Sequence, residues 1–404
     1  MTLSRRQSLL FLGSAATAAF IPWQGQAQRG LPPLRGYLRT NWSRDPFSYG
    51  SYSHIARGAS RADHRALDAQ EGGGLFFAGE AVHPERNSTV HAAHESGLRA
   101  AEQILETNAR SALIIGAGMA GLTAAKRLSD RGLEVRVLEA RNRMGGRILT
   151  NEDLGMPLDL GASWIHGTRG NPLTGLARRA NMRTVRTRDS YQIWANGAQV
   201  RDRDAPDWLD SISIQTSYGA DQDQLSGEAF SSGWDYGGAE VIFPGGYAPI
   251  FSNFVGGYEV RLNTEVQRVS WGQSPGVTLR NGQRERADAV LVTVPLGVLK
   301  TGRMSFSPEL PQRKRQAINR LGMGTLDKLY LLFDQVFWPT EPTWLTLPET
   351  NLPPGQFNEW MNLQPYVGAP MLLAFNGGSA ATGLAHFSDQ ALVAKSLSVL
   401  RDAF

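Results

Sequence analysis

The residues most clearly arranged for chemistry are three glycines and an acid that follows them. Gly116, Gly118 and Gly121 have the spacing G-x-G-x-x-G, and Glu139 lies 18 residues beyond the last glycine. In this pattern the first glycine permits a tight turn, the second lets the backbone approach a pyrophosphate, and the third lets a helix pack closely on a strand. A carboxylate at about this distance binds ribose hydroxyls. The pattern therefore indicates dinucleotide binding, without distinguishing NAD from FAD.

The flanking elements have the order that such a site needs. Residues 112–115 are a continuous apolar run, which is typical of a buried parallel strand, and an Ala- and Leu-rich helix follows the glycines. The N-terminus of that helix presents free N–H groups to phosphate. Residues 135–138 predict a second strand that ends at the acid. A coincidental glycine turn would not explain all four features.

The stretch ARNRMGGR after the acid resembles the flavoprotein form of the motif, which favours FAD over NAD. The resemblance implies that Gly145, Gly146 and Arg147 run along the FAD diphosphate, with Arg141 also at the cofactor. Cysteine is absent from the chain, so disulfides, thiolate metal sites, a cysteine nucleophile and a cysteinyl-linked cofactor are excluded. We expect non-covalent FAD and no metal.

Three further stretches resemble the flavin-containing amine oxidases, particularly polyamine oxidases and flavin-type histone lysine demethylases. They are residues 155–173, 287–299 and 321–339. By resemblance, the first passes beside the isoalloxazine ring with Gly161, Ala162, Ser163 and Trp164. The second resembles the strand and turn near the adenosine half, and the segment ahead of it places Val266 against adenine. The third carries the active-site lysine, Lys328, which would hold a water near the ring and assist proton movement.

Two more matching stretches, 40–53 and 75–105, resemble the C-terminal region of the family but precede the glycine motif. By resemblance, Trp42 covers part of the flavin, Gly79 and Glu80 reach the ribityl chain, and a helix from Thr89 and Val90 points its N-terminus at the ring. Reading 109–404 and then 29–108 restores the family order, so we predict a circular permutation. Residues 106–110 span at most about 17 Å, enough if the old termini are neighbours. The alternative is a mis-joined gene whose product does not fold.

The resulting expectation is an α/β protein with a discontinuous Rossmann-type FAD-binding domain and an α+β substrate domain built on a mixed sheet. The predicted boundaries are a signal peptide at 1–28, a permuted segment of both domains at 29–74, the FAD-binding domain at 75–170 and 236–302, and the substrate domain at 171–235 and 303–404.

The first 28 residues have the pattern of a targeting segment. Arg5 and Arg6 precede an apolar stretch that is too short to span a membrane, and small residues follow near Ala27. The paired arginines resemble a twin-arginine signal, which predicts a periplasmic or exported protein handled by the twin-arginine machinery, without a stable membrane anchor. An ordinary secretory leader is the alternative. The formal charge of +4 is too small to indicate nucleic-acid binding.

The resemblance implies oxidation of an amine to an imine and then an aldehyde, with O2 reduced to H2O2 and a polyamine such as spermidine or spermine preferred. Tyr52 matches one aromatic wall of the substrate site, the opposite position falls at Thr89, and His166 lies near the amine chain. The N-terminus of the helix from Thr89, capped by Asn87 or Ser88, would stabilise negative charge on the ring. His91 is interpreted as packing within that helix. Ala92 stands where the family has a second glycine, which would put a methyl close to the flavin.

Each of these assignments has a competing interpretation. Lys328 could be a solvated lysine, although its apolar neighbours favour a function; Trp42 could be core, and His166 structural. An L-amino-acid oxidase would need an arginine fork for the substrate carboxylate, for which Arg169 and the arginines near 184–188 are candidates. A flavin-binding but inactive protein is the remaining rival.

Overall fold

A five-stranded parallel sheet carries the glycine motif. The computed structural model describes residues 30–231, 236–348 and 350–404. In this sheet the order is β13, β5, β4, β17, β3, and every neighbouring pair is parallel. The strands are Leu75–Phe77 (β3), Ser111–Ile115 (β4), Glu134–Leu138 (β5), Glu259–Arg261 (β13) and Ala289–Val292 (β17). Because parallel strands end at one edge, the loops that follow them converge there, where α/β proteins bind ligands.

The other elements lie around this sheet and a second, larger one. The helices of the described residues are Arg61–Asp68 (α1), Val90–Leu105 (α2), Met119–Asp130 (α3), Pro172–Arg179 (α4), Asp210–Tyr218 (α5), Leu296–Lys300 (α6), Gln312–Arg320 (α7), Gln364–Val367 (α8), Gly378–Leu384 (α9) and Asp389–Ala403 (α10). The remaining strands are Leu34–Arg39 (β1), Tyr52–His54 (β2), Thr150–Asn151 (β6), Leu158–Asp159 (β7), Trp164–Ile165 (β8), Val185–Arg186 (β9), Tyr191–Ala195 (β10), Ala198–Val200 (β11), Val241–Ile242 (β12), Val266–Ser270 (β14), Gly276–Leu279 (β15), Arg284–Arg286 (β16), Ser305–Ser307 (β18), Gly322–Gly324 (β19), Leu326–Phe333 (β20), Trp344–Thr346 (β21), Glu359–Asn362 (β22) and Met371–Gly377 (β23).

Both faces of the parallel sheet are buried, which explains its uninterrupted apolar strands. Ile114 and its neighbours on one face pack with α2 and α3, whereas Leu113 and Ile115 on the other face pack toward β14 and α7. Successive side chains of a strand point to opposite faces, so a strand covered on both sides must be apolar at every position. The run predicted at 112–115 is this strand, extended by one residue to Ser111.

A seven-stranded mixed sheet forms the second layer, in the order β1, β20, β23, β22, β21, β10, β11. Its pairs are antiparallel except for β21 with β10, which is parallel. One face packs against α10, and the other faces β7, β8 and β12. The mixed α/β architecture with several sheets agrees with the predicted fold class.

The helix α2 follows β3 and returns directly to the start of β4. Only residues 106–110 separate α2 from β4, and α2 packs beside α3 along much of its length. The five residues between α2 and β4 are the short connection that the predicted circular permutation needs. The helix begins at Val90 rather than at Thr89, because Thr89 is the residue that caps it.

Two predictions are not addressed by these elements. Residues 1–28, the predicted signal peptide, lie outside the described residues, and the domain boundaries remain predictions. Within the described part of the chain, no helix combines the length and the apolar character needed to cross a bilayer.

Candidate cofactor and amine site

One long cavity runs from the carboxyl edge of the parallel sheet to the face of the seven-stranded sheet. It brings together every residue that the sequence assigned to the site except Gly121. The assigned residues that line it are Trp42, Tyr52, Gly79, Glu80, Thr89, Val90, Gly116, Gly118, Glu139, Arg141, Gly145, Gly146, Arg147, Gly161, Ala162, Ser163, Trp164, His166, Val266 and Lys328.

The glycine motif leaves room for a ligand backbone at one point and enforces close packing at two others. A Cβ at Gly118 would meet no atom within 4 Å, so this position opens toward the cavity. A Cβ at Gly121 would lie 2.0 Å from the carbonyl oxygen of Gly116, and Gly116 itself has a φ of +108°. Gly121 therefore acts through helix–strand packing. The N-terminus of α3, with Gly118 as its N-cap, faces the cavity, where its N–H groups suit a phosphate.

The acid that ends β5 is fixed beside this helix terminus. Glu139 is buried and accepts hydrogen bonds from Ala117 N at 2.7 Å and Arg141 N at 2.8 Å. One carboxylate oxygen is used by each bond, which leaves acceptor capacity for hydroxyl groups of a ligand. The guanidinium of Arg141 pairs with both carboxylate oxygens of Asp45, at 2.9 and 2.7 Å. Arg141 thus lines the cavity but its charge is neutralised by Asp45, a partner that the sequence did not reveal.

Glu80 is the centre of a second buried network. Its carboxylate pairs with Arg147 at 2.8 Å and accepts from Ser53 Oγ at 2.6 Å and Ser88 N at 2.9 Å. Burial alone would raise the pKa of Glu80, but the Arg147 guanidinium and these hydrogen bonds hold it below its ordinary value. The network joins Ser53, residues 80–88 and Arg147, which come from three segments that the resemblance assigned to different parts of the cofactor.

Lys328 is buried at the far end of the cavity, so its interpretation as a solvated lysine is wrong. Its side chain is 5% exposed and its Nζ donates to the carbonyl oxygens of Asp159 at 2.8 Å and Gly161 at 2.7 Å, and contacts Ser163 Oγ. Burial lowers the pKa of Lys328, and the Asp159 carboxylate opposes that shift. A lysine with a lowered pKa can hold or release a proton near neutral pH.

Asp159 is a residue of this end that the sequence reasoning missed. Its carboxylate accepts from Thr150 Oγ1 at 2.6 Å and Tyr247 N at 2.9 Å, and burial raises its pKa. Its carbonyl oxygen accepts from Tyr330 Oη at 2.7 Å as well as from Lys328. The stretch PLDLGASW contained this acid, but only the pairing of distant segments shows that it lies against the lysine.

Aromatic side chains form the walls around Lys328. The Nζ atom lies 5.7 Å from the ring centroid of Trp164 and 5.9 Å from that of Phe375, and these two rings are 6.0 Å apart. Tyr52 lines the same cavity, and its hydroxyl donates to the carbonyl oxygen of Thr216. Thr89 stands at the position expected to oppose Tyr52 and is not aromatic. Phe375 was not anticipated, because it belongs to a strand far away in the sequence.

His166 is oriented by an acid at the cavity rim. Its Nδ1 lies 2.7 Å from Glu240 Oε2, and the other carboxylate oxygen accepts from Gly167 N at 2.7 Å. The ring also stacks on Trp164 with centroids 6.5 Å apart. The pairing with Glu240 fixes the orientation of the ring.

At the N-terminus of α2, the capping residue and the position of Ala92 differ from those predicted from the sequence. Thr89 is the N-cap, with Oγ1 accepting from Ala92 N at 3.1 Å. Asn87 and Ser88, the predicted caps, instead donate to the carbonyl oxygen of Ser53. Ala92 is fully buried and does not line the cavity, so its methyl does not approach the site as expected.

His91 lines the cavity and packs against an aromatic ring, whereas the arginines considered for a carboxylate fork lie elsewhere. His91 is buried and packs edge-on against Tyr236 at 5.2 Å. Arg169 and the arginines at 183, 186 and 188 are exposed, and none of them lines the cavity. Within the described ranges, no group of His, Asp and Glu side chains is arranged to hold a metal ion.

Comparison with known proteins gives consistent matches. The family model described as flavin containing amine oxidoreductase matches residues 23–105, 119–212 and 223–404. Polyamine oxidase 2 of Arabidopsis thaliana is 32% identical over 350 residues, covering 71% of this chain and 71% of that protein. Polyamine oxidase 4 of Oryza sativa is 30% identical over 355 residues, covering 72% of each. Lysine-specific histone demethylase 1 homolog 1 of Oryza sativa is 29% identical over 361 residues, covering 73% of this chain and 42% of that protein.

Proposed function

The chain belongs to the flavin containing amine oxidoreductases, a flavin-dependent enzyme family whose cofactor is FAD, and from this we propose that it is a polyamine oxidase. The proposed reaction removes two hydrogens from a C–N bond, so that R–CH2–NH–R′ and O2 give R–CH=N–R′ and H2O2. Water then splits the imine into an aldehyde and a shorter amine. The observation that carries the proposal is the burial of Lys328 among aromatic walls at one end of a cavity whose other end has a dinucleotide motif.

The residues present fit FAD. Gly118 and Gly79 both leave open space where a Cβ would stand, and Gly79 has a φ of +136° that favours glycine. Glu139 would hold the ribose hydroxyls, and the α3 terminus with Gly145 and Gly146 would hold the diphosphate. Arg147 and Glu80 would hold the middle of the molecule, with the ring end between Trp42 and residues 161–164. When bound there, FAD supplies a two-electron acceptor.

The protein's own groups supply proton handling, orientation and exclusion of water. Lys328 can hold a proton at the ring end, because burial lowers its pKa and two carbonyl groups fix its Nζ. The first N–H groups of α2, behind Thr89 and Val90, stabilise negative charge that develops nearby. Trp164 and Phe375 cover the reacting region and keep water away.

The Lys328 end of the cavity is better suited to an amine than to an amino acid. A substrate carboxylate would need a positively charged fork, and the arginines available for it are exposed and away from the cavity. The relatives named above include two polyamine oxidases, which supports a polyamine as the substrate. Spermidine and spermine are the first candidates.

We also propose that the gene is circularly permuted with respect to its family. In support, β3 lies beside β17 although it precedes β4 in the chain, and α2 needs only five residues to reach β4. A Cβ at Gly30 would lie 4.0 Å from Arg401 Cγ, and Leu31 packs on the same apolar cluster as Phe404. Residues 30–31 and 401–404 therefore lie close together, so a peptide connection between them is compatible with this fold. Export through the twin-arginine route is proposed from the sequence of residues 1–28.

The test begins with the visible spectrum of the chain expressed from Gln28 and desalted. We expect a flavin band corresponding to about one FAD per chain, which spermidine bleaches without oxygen, and release of H2O2 in equal amount when oxygen is admitted. A colourless soluble protein, or a flavin band that no amine bleaches, would contradict the oxidase. A chain rejoined as 109–404 followed by 29–108 should fold and bind flavin equally; if it cannot, the permutation is wrong.

A further inference from the structure

Glu359 lies on the same face of the seven-stranded sheet as Lys328. In the strand register Lys328 pairs with Phe375, and Phe375 pairs with Glu359. Directly paired residues of an antiparallel sheet point to the same side, so Glu359 lies on the face of the sheet from which Lys328 and Phe375 line the cavity. Neighbouring strands are 4.7–4.9 Å apart, which separates the lysine and glutamate backbones by roughly 10 Å.

The carboxylate of Glu359 has no cationic partner among the described residues. Its Oε2 is buried without a hydrogen-bond partner, and no ion pair of the described chain includes it. Its neighbours are uncharged: the hydroxyl group of Thr216 on α5, the ring of Phe375, and Tyr52. Burial raises the pKa of Glu359 to about 7. Leaving an acid desolvated and unpaired in this way is costly, and such groups concentrate where a ligand completes the pairing.

The side chains around Glu359 are of the types that bind an ammonium group. Tyr52 lines the cavity, and its hydroxyl group donates to the carbonyl oxygen of Thr216, the residue whose own hydroxyl group lies beside Glu359. Between Glu359 and Lys328 stands Phe375, with Trp164 and Trp344 stacked at 6.3 Å beside it. An alkyl chain can lie along these rings, and a cation is attracted to their faces.

We propose that Glu359 binds a second ammonium group of the substrate, so that the site selects amines carrying two charges over monoamines. This inference rests on the proposed amine oxidase function and names the residue that would decide its substrate range. The reacting nitrogen lies at the Lys328 end, the apolar spacer lies over Phe375, and the distal ammonium pairs with the carboxylate. A charge-assisted hydrogen bond of this kind is worth about tenfold or more in affinity.

The test is equilibrium binding by calorimetry under anaerobic conditions to holoprotein whose flavin has first been reduced with dithionite, so that no amine is oxidised during the titration. Diaminohexane and diaminooctane are each compared with hexylamine and octylamine, for the wild type and for Glu359→Gln. The control is Glu309→Gln, which removes the same charge from a side chain that is 78% exposed. We expect the wild type and the control to prefer each diamine by about tenfold or more, and Glu359→Gln to lose that preference.

Three results would overturn the inference: a wild type without preference, a preference that Glu359→Gln retains, or one that Glu309→Gln also loses. The flavin band and the melting temperature verify that each variant is folded and loaded. Because binding is measured without turnover, a preference that depends on Glu359 would stand even if no amine bleached the flavin, and only the oxidase proposal would then fail.

Discussion

Replacing Glu359 with glutamine should stabilise the fold at alkaline pH, contrary to the usual effect of changing a polar residue in the interior. The carboxylate is desolvated and Oε2 has no partner, whereas an amide of the same shape carries no charge to desolvate. The gain should appear only where the wild-type side chain is ionised. Its dependence on pH therefore separates it from any effect of shape.

The magnitude follows from the difference in acidity between the unfolded and folded states. The pKa of Glu359 rises from 4.5 to about 7 on burial. Below pH 4.5 both states are protonated and the group has little effect. Between 4.5 and about 7 the folded state holds the proton longer, so wild-type stability falls as the pH rises, and above 7 the loss is complete. At about 1.4 kcal/mol for each tenfold change in acidity, the full penalty is at most about 3 kcal/mol, of which about a quarter is present at pH 5.

Urea unfolding at pH 5 and pH 8 measures this effect for the wild type, Glu359→Gln and the exposed control Glu309→Gln. We expect Glu359→Gln to exceed the wild type in unfolding free energy by about 2 kcal/mol more at pH 8 than at pH 5. The control should follow the wild type within about 0.5 kcal/mol. If Glu359→Gln differs from the wild type by the same amount at both pH values, Glu359 is not a desolvated acid and the argument for a distal ammonium site loses its premise.

Three further substitutions test other parts of the structure. Lys328→Met should keep the flavin band but slow its bleaching by spermidine at least about 100-fold, as stopped-flow absorbance would show; an unchanged rate would indicate a merely structural lysine. Gly121→Ala should give protein without flavin after desalting, because its Cβ would lie 2.0 Å from the Gly116 carbonyl oxygen; a normal flavin content would contradict this. Lys314→Met should cost about 3 kcal/mol of stability, because the buried Nζ donates to the carbonyl oxygens of Ala66, Leu67 and Ala69 at the C-terminal end of α1. Its thermal unfolding is compared with that of Lys126→Met, which removes only a surface i,i+4 pair; equal melting temperatures would refute the capping role.

The dinucleotide end could be predicted from the sequence because its signals are local. The turn, the helix terminus and the acid all lie within residues 111–139, where spacing along the chain largely determines spacing in the fold. The burial of Lys328 was expected from its apolar neighbours in β20. At both places the structure favoured by the local sequence is also the one favoured by packing in the whole fold, which is why the sequence was sufficient.

The cap of α2 shows where local rules were insufficient. Asn, Ser and Thr all cap helices well, and three of them stand in a row before Val90. Ser88 cannot serve, because Glu80 accepts from its backbone N–H and its hydroxyl donates to Ser53, which holds its backbone at a φ of +75°. Contacts with a strand more than thirty residues away thus determine which residue caps the helix, and the local sequence pattern contains no information about those contacts.

Glu359 could not be identified from the sequence for a related reason. In NEWMNL it is an ordinary polar residue at the start of a strand, where it could equally face solvent. Only the register through Phe375 to Lys328 places it on the cavity side. Once it is placed there, its lack of a cationic partner becomes informative, because a fold selected for stability alone would not retain a desolvated and uncompensated carboxylate. The cost that Glu359 imposes on folding and the affinity it would lend to a dication are consequences of the same unpaired charge, so the binding experiment on Glu359→Gln is expected to succeed only if the stability experiment does.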